Sequence, residues 1–183
     1  MKLIICAFSA ILALSIFVRA ESSAGTSAHT IAEWKLGAHL AGPQVTLEQA
    51  KGKAVLLDYW GVNCGPCLAS LPDIEKIARR HKDKMIVIGA HSQSASDEEI
   101  QAVVKKNRLS YTITKGAPGP VKFSGIPHVI VFNTEGKMIF DGHPSDREFD
   151  RAIRKSVQGA SATSTVGAAA KPSGLDALKK PGS

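Results

Sequence analysis

The stretch Ala54-Val55-Leu56-Leu57-Asp58-Tyr59-Trp60-Gly61-Val62-Asn63-Cys64-Gly65-Pro66-Cys67 decides the fold. Ala54 to Trp60 is an apolar run broken only by Asp58, set between Lys51-Gly52-Lys53 and Gly61, the pattern of a strand buried on both faces. From Pro66 the spacing changes: Leu68, Leu71, Ile74, Ile77 and Ala78 recur at helical intervals and stop near His81. A buried strand therefore runs directly into a helix, with the two cysteines at the junction. Pro66 suits the first helical turn, where its missing N–H has no partner to lose. The free amides and positive dipole end of that turn favour a thiolate over a thiol. Cysteines three apart on one turn can close a small disulfide ring, the first near the open end and the second tucked beneath. This assigns attack to Cys64 and resolution to Cys67. The same spacing is half a zinc site, so a zinc centre completed by two histidines stays open at this point.

Outward from this junction, buried runs alternate with amphipathic segments. Met85 to Ala90 is a second buried strand, and Ser96-Asp97-Glu98-Glu99 is a capping box that opens a helix ending near Arg108. Tyr111 to Thr114 is a short strand. Lys115 to Gly125 holds three glycines and two prolines, which makes it a connecting loop. Pro127 to Phe132 and Lys137 to Asp141 flank Asn133-Thr134-Glu135-Gly136 as a hairpin. Ser145-Asp146-Arg147-Glu148 is a second capping box, with Phe149, Ile153 and Val157 on the inner face of a last helix. Before the central strand, Trp34 to Lys53 carries less pattern; Thr46-Leu47-Glu48-Gln49 predicts a short helical turn. The order predicts an α/β domain over residues 34–157, a mixed sheet with helices on both faces.

The ends have a different character. Met1-Lys2, the apolar stretch Leu3 to Val18 and Val18-Arg19-Ala20 read as a signal peptide over 1–20, cleaved after Ala20; an uncleaved membrane anchor is the alternative. Cys6 leaves with the signal, so the exported product keeps Cys64 and Cys67 in a compartment where disulfides form. Residues 21–33 read as a flexible linker and 158–183 as a low-complexity, disordered tail. Length and composition exclude other classes. With 183 residues, 44% hydrophobic and 21% charged, the chain is neither disordered nor fibrous, and three cysteines do not make a disulfide scaffold. The formal charge of +7 falls largely at the ends. Between Glu21 and Val157, 18 cations face 15 acids, a net of +3, which gives no argument for a nucleic-acid partner.

Val55 to Cys67, with Pro72 and the later Gly125-Ile126-Pro127, resembles the thioredoxin superfamily. The exported character, the lead-in Thr46 to Lys53 and the long interval from Cys67 to Pro127 are similar to its TlpA/ResA-like branch. The resemblance implies a thioredoxin-like fold, no cofactor, no resident metal, and a redox-active Cys64–Cys67 disulfide. It puts Pro127 at the family's cis-proline, with Ile126 offering backbone groups to a substrate strand and Trp60 at the family's tryptophan near the site. It puts Asp58, six residues before Cys64, where thioredoxins bury an acid beneath the resolving cysteine. An apolar strand makes that carboxylate costly to ionise, so it can exchange a proton with Cys67. Pro72 is placed to kink the active-site helix. Three positions depart from the pattern. Asn63 stands where tryptophan is usual; Met85 to Ala90 has no lysine to partner Asp58; and His128 replaces a threonine after the cis-proline. His128 has two open roles, donating to a mixed disulfide or binding copper with both thiolates, beside the plain one of a surface histidine. His91 reads as structural.

The expected activity is thiol–disulfide exchange with exported partner proteins. The Gly65-Pro66 dipeptide, shared with thioredoxin, points to a reductant. Resemblance implies apocytochrome c or copper-site assembly proteins as clients and an electron donor outside the cytoplasm, with membrane contact only through an uncleaved signal. Two rivals follow from the same residues. A thiol peroxidase of the peroxiredoxin branch requires a threonine a turn before a single reactive cysteine, which Asn63-Cys64-Gly65-Pro66-Cys67 lacks. A non-enzymatic copper module requires Cys64, Cys67 and His128 to converge.

Overall fold

A computed structural model describes residues 29–159. The expected signal peptide over 1–20, residues 21–28 of the expected linker and residues 160–183 of the expected tail lie outside the described residues. In chain order the elements are β1 (His39–Ala41), β2 (Ala54–Trp60), α1 (Gly65–Arg80), β3 (Met85–His91), α2 (Asp97–Asn107), β4 (Thr112–Thr114), β5 (His128–Phe132), β6 (Met138–Gly142) and α3 (Arg147–Ser156). Short 3₁₀ turns lie at Ile31–Glu33 and Glu48–Ala50.

All seven residues of β2 are buried, as their unbroken apolar character predicts, because β2 lies inside the sheet. The sheet order is β1-β4-β3-β2-β5-β6. β2, β3 and β4 run parallel, while β1, β5 and β6 pair antiparallel with their neighbours. The two parallel crossovers step in the same direction across the sheet, so a right-handed connection puts α1 and α2 on one face. Leu71 and Ile74 of α1, Ile100 and Val104 of α2, and Phe149 and Ile153 of α3 all pack with Leu56, Val87, Val129 and Val131 there. The mixed α/β sheet is as expected, but the layering differs from helices on both faces. Val55, Leu57, Ile88, Ile130 and Phe132 on the opposite face are covered by Trp34, Ala50 and Ala117, from the 3₁₀ turns and the loop after β4.

That second cover explains the segment with little sequence pattern. Its one large buried side chain is Trp34, only 2% exposed, and its other apolar residues follow no strand or helix period. Trp34 Nε1–H donates to the Tyr59 hydroxyl at 2.9 Å, and that hydroxyl donates to the Ala117 carbonyl at 2.7 Å. Tyr59→Phe leaves both the indole N–H and the carbonyl buried without a partner, a cost of about 2 kcal/mol. Urea unfolding should show the loss as a lower midpoint with an unchanged slope.

Two local expectations are corrected. Residues 29–33, placed in the linker, are fixed to the hairpin: Thr30 bridges Lys137, Ile31 N–H donates to the Gly136 carbonyl, and Met138 N–H donates to His29. The polar composition concealed this because the attachment is made by backbone groups. The box expected at Ser145 does not form. Asp146 is the N-cap of α3, and its carboxylate accepts from His143 N–H, while Ser145 pairs with the His143 ring. Ser96 and Glu99, by contrast, form the predicted reciprocal cap of α2.

Candidate active site

The end of β2 and the start of α1 bring the two cysteines together. Cys64 is the N-cap of α1, with Pro66 in the first turn as its fixed φ favours. The sulfurs are bonded at 2.07 Å, with Cα atoms 5.2 Å apart. Cys64 keeps 8% of its surface exposed and Cys67 none. Cys67 N–H donates to Cys64 Sγ at 3.2 Å, so a helix-end amide is directed at the first sulfur. That amide, with the dipole of α1, stabilises negative charge on Cys64 when the bond is reduced.

The loop before Cys64 is held by β3 and the residues that follow it. Ser92 N–H donates to the Trp60 carbonyl, Val62 N–H donates to His91 Nε2 at 3.2 Å, and Asn63 N–H donates to Gln93 Oε1 at 2.9 Å. As an acceptor, His91 Nε2 must be unprotonated. Burial, and then the charge of Lys115, hold the His91 pKa below the usual histidine value, which keeps it so. His91 and Gln93 therefore position the active-site loop. For His91 this gives content to the structural role read from sequence; Gln93 was missed because an isolated glutamine in a loop carries no periodic signal.

Opposite the cysteines, the Ile126–Pro127 peptide is cis. Pro127 is buried, Ile126 is half-buried, and the Ile126 carbonyl oxygen lies 3.6 Å from Cys64 Sγ. Asn63, Gly65 and Pro66 are exposed around the sulfurs. Asp58 is fully buried on the face that α1 covers, and neither carboxyl oxygen has a protein partner. Burial pushes its pKa up to about 7. Beside it on β3 stands Gly89, where a lysine partner was missing from the sequence. Pro72 lies inside α1.

Two expected substrate contacts sit elsewhere. Trp60, expected at the substrate surface, is 0% exposed and packs edge-on to His91 at 5.1 Å between ring centroids. Its position on a strand buried on both faces makes it a support beneath the site. His128 pairs with Tyr59 in the β2–β5 register, so its ring shares Tyr59's face, away from α1. There its Nε2 lies 2.6 Å from an Asp141 carboxylate oxygen, and the ring stacks on Phe123 with centroids 4.2 Å apart. Alternation along β5 left this choice open; the register decides it. His128→Thr should therefore leave the thiol–disulfide equilibrium constant and the Cys64 acid dissociation constant within about twofold of the parent between pH 5 and 8, roughly the range in which histidine charges. A thiol titration followed by ultraviolet absorbance checks this. The copper set Cys64, Cys67 and His128 does not converge, and among the described residues no three such side chains are grouped to hold a metal ion.

A thioredoxin-like sheet carrying a C-x-x-C pair at its strand-to-helix turn, facing a cis-proline, defines the class of thioredoxin-like thiol–disulfide oxidoreductases. The Redoxin family model matches residues 23–153, and the chain belongs to that family. It is 29% identical over 102 residues to the thioredoxin-like protein YneN of Bacillus subtilis, covering 53% of this chain and 60% of that one. It is 30% identical over 105 residues to the thiol-disulfide oxidoreductase ResA of Halalkalibacterium halodurans, covering 55% and 59%. Thus the match spans about three-fifths of these relatives' length. Among solved structures, a DsbF homologue from Corynebacterium diphtheriae is similar with a TM-score of 0.59 and 25% identity, over 67% of this chain and 84% of that one. Among the described residues, no helix is long and apolar enough to cross a membrane.

Proposed function

We propose that this protein is an exported thiol–disulfide oxidoreductase that reduces disulfides in partner proteins through Cys64 and Cys67. The observation that carries the reading is the asymmetry of the pair. Cys64 has exposed surface and an amide directed at its sulfur, whereas Cys67 is fully buried on the same face as an unpartnered carboxyl. In the reduced protein the Cys64 thiolate attacks one sulfur of the partner disulfide. A Cys64–partner bond forms, the partner S–S bond breaks, and the departing thiolate takes a proton from water. Cys67 then gives its proton to the Asp58 carboxylate, and its thiolate attacks Cys64 Sγ. The Cys64–Cys67 bond closes and the second partner thiolate leaves, so two electrons pass from the protein to its partner.

The apolar segment before Ala20 supports export. The half-buried Val62, Leu68 and Ile126 around the pair support a polypeptide client with an extended segment. Apocytochrome c or copper-site assembly proteins are the client classes we propose, with a thiol donor outside the cytoplasm restoring the dithiol. Cys67→Ala produced with its own N-terminus in an exporting cell tests this. Disulfide-linked partners should be captured outside the cytoplasm and released by reductant. Capture of none, or peroxide consumption at a rate exceeding disulfide reduction, would overturn the reading.

A further inference from the structure

The face of the sheet beneath the active site holds polar groups that the exchange chemistry leaves unexplained. Both Asp58 carboxyl oxygens, Trp60 Nε1 and the Tyr111 hydroxyl are buried without a protein partner. They converge on one place. Asp58 and Gly89 are neighbours across the β2–β3 register, and adjacent strands lie about 4.8 Å apart, so a side chain at Gly89 would stand beside the Asp58 carboxyl. That place is taken instead by other residues. A methyl group on Gly89 would lie 2.8 Å from Cδ1 of Ile113, 3.0 Å from Cε2 of Tyr111 and 3.1 Å from Nε1 of Trp60.

The chemistry of the set is complementary. The indole offers only a donor, the phenol a donor and an acceptor, and the carboxylate only acceptors. Leaving each unpaired costs more than immobilising one water molecule, and a site with two to four polar partners is where internal water is retained. The other titratable groups near this face are otherwise engaged. Glu75 on α1 is bonded to Arg79 and to the Ser110 N–H and hydroxyl; His91 holds Val62 N–H; and β5 presents apolar Val129 beside Asp58. Cys67 of α1 is left as the group with which Asp58 exchanges a proton.

We propose that Asp58, Trp60 and Tyr111 share one internal water, and that Tyr111 is a positioning residue which sets the acidity of Asp58 through that water. The inference rests on the reading of Asp58 as the proton acceptor of Cys67. The lysine missing from β3 is then replaced by an uncharged hydroxyl from the segment before β4 and a glycine that leaves room for it. Tyr111 itself keeps its proton: burial, and then the neighbouring Asp58 and Glu75, hold its pKa well above the usual tyrosine range. It is therefore a donor throughout the range in which Asp58 titrates.

Tyr111→Phe removes the hydroxyl and keeps the ring. Followed by carbon-13 NMR of the Asp58 carboxyl in the reduced full chain, the variant should raise the titration midpoint by about 0.5–1 pH. Below the midpoint, Cys67-dependent resolution should slow about three- to tenfold, following the lost carboxylate fraction, with attack by Cys64 unchanged. An unmoved midpoint overturns the role of Tyr111. In the parent protein, the Trp60 indole N–H should show cross-relaxation with a long-lived water; its absence overturns the site without requiring any variant to fold. Asp58→Asn separates the two ideas. If it leaves resolution unchanged while Tyr111→Phe still shifts Asp58, the acceptor reading fails and the water site stands.

Discussion

Cys64→Ser reduces disulfide exchange to the uncatalysed background, whereas Cys67→Ser still attacks and then accumulates mixed disulfides that persist until a second thiol releases them. The difference follows from position along one helical turn. The N-cap sulfur has exposed surface and receives the Cys67 amide, so its thiolate is both reachable and stabilised; the sulfur one turn in has no exposed surface and meets only what is already bonded to Cys64. An insulin-type reduction assay reads the first variant, and mass spectrometry after acid quenching reads the second. Alkylation gives an independent check: in the reduced parent, Cys64 should react with iodoacetamide first. A protein in which Cys67 reacts first has its two roles reversed.

The second large effect concerns stability against pH. Asp58 titrates near 7 in the fold because it is desolvated, against about 3.9 in an unfolded chain. Its folded pKa is raised, so the native state binds the proton more tightly, and the associated stability is fully present below about pH 3.9. It is lost as pH rises toward 7, where the folded protein must also ionise a buried carboxyl. The difference is on the order of 4 kcal/mol, enough to dominate the pH dependence of a domain with the usual margin of about 5–15 kcal/mol. Asp58→Asn should abolish that decline, so the oxidised variant gains on the parent between pH 4 and pH 8 in guanidinium titrations at the two pH values. The same substitution should slow resolution more than attack. Parallel pH profiles for parent and variant would mean that Asp58 is ionised in the fold and has a partner there.

The active-site segment was legible because every local signal within it agrees. An unbroken apolar run suits a central strand, the spacing from Leu68 onward suits a helix, and Pro66 suits the turn between them; each depends only on residues near in sequence. Buried Asp58 was legible for the same reason, as a single carboxyl inside such a run. Trp34 was not, because one large side chain closing the far face of a sheet leaves no period to detect. Gln93 and Tyr111 were missed as parts of the site because each meets it across the fold.

The sequence by itself determined the strand, the helix, the redox pair between them and the cost of ionising Asp58, since these arise from spacing and local solvation. Only the tertiary structure decided that His128 turns toward Asp141, that Trp60 lies beneath the site, and that Gly89 stands beside Asp58 with the Tyr111 ring against it. The physical reason is register. A strand's alternation restricts a side chain to one of two faces, but which face, and which neighbour, is set by the hydrogen-bonded pairing of β2 with β3 and β5, between residues 31 to 77 positions apart in the chain.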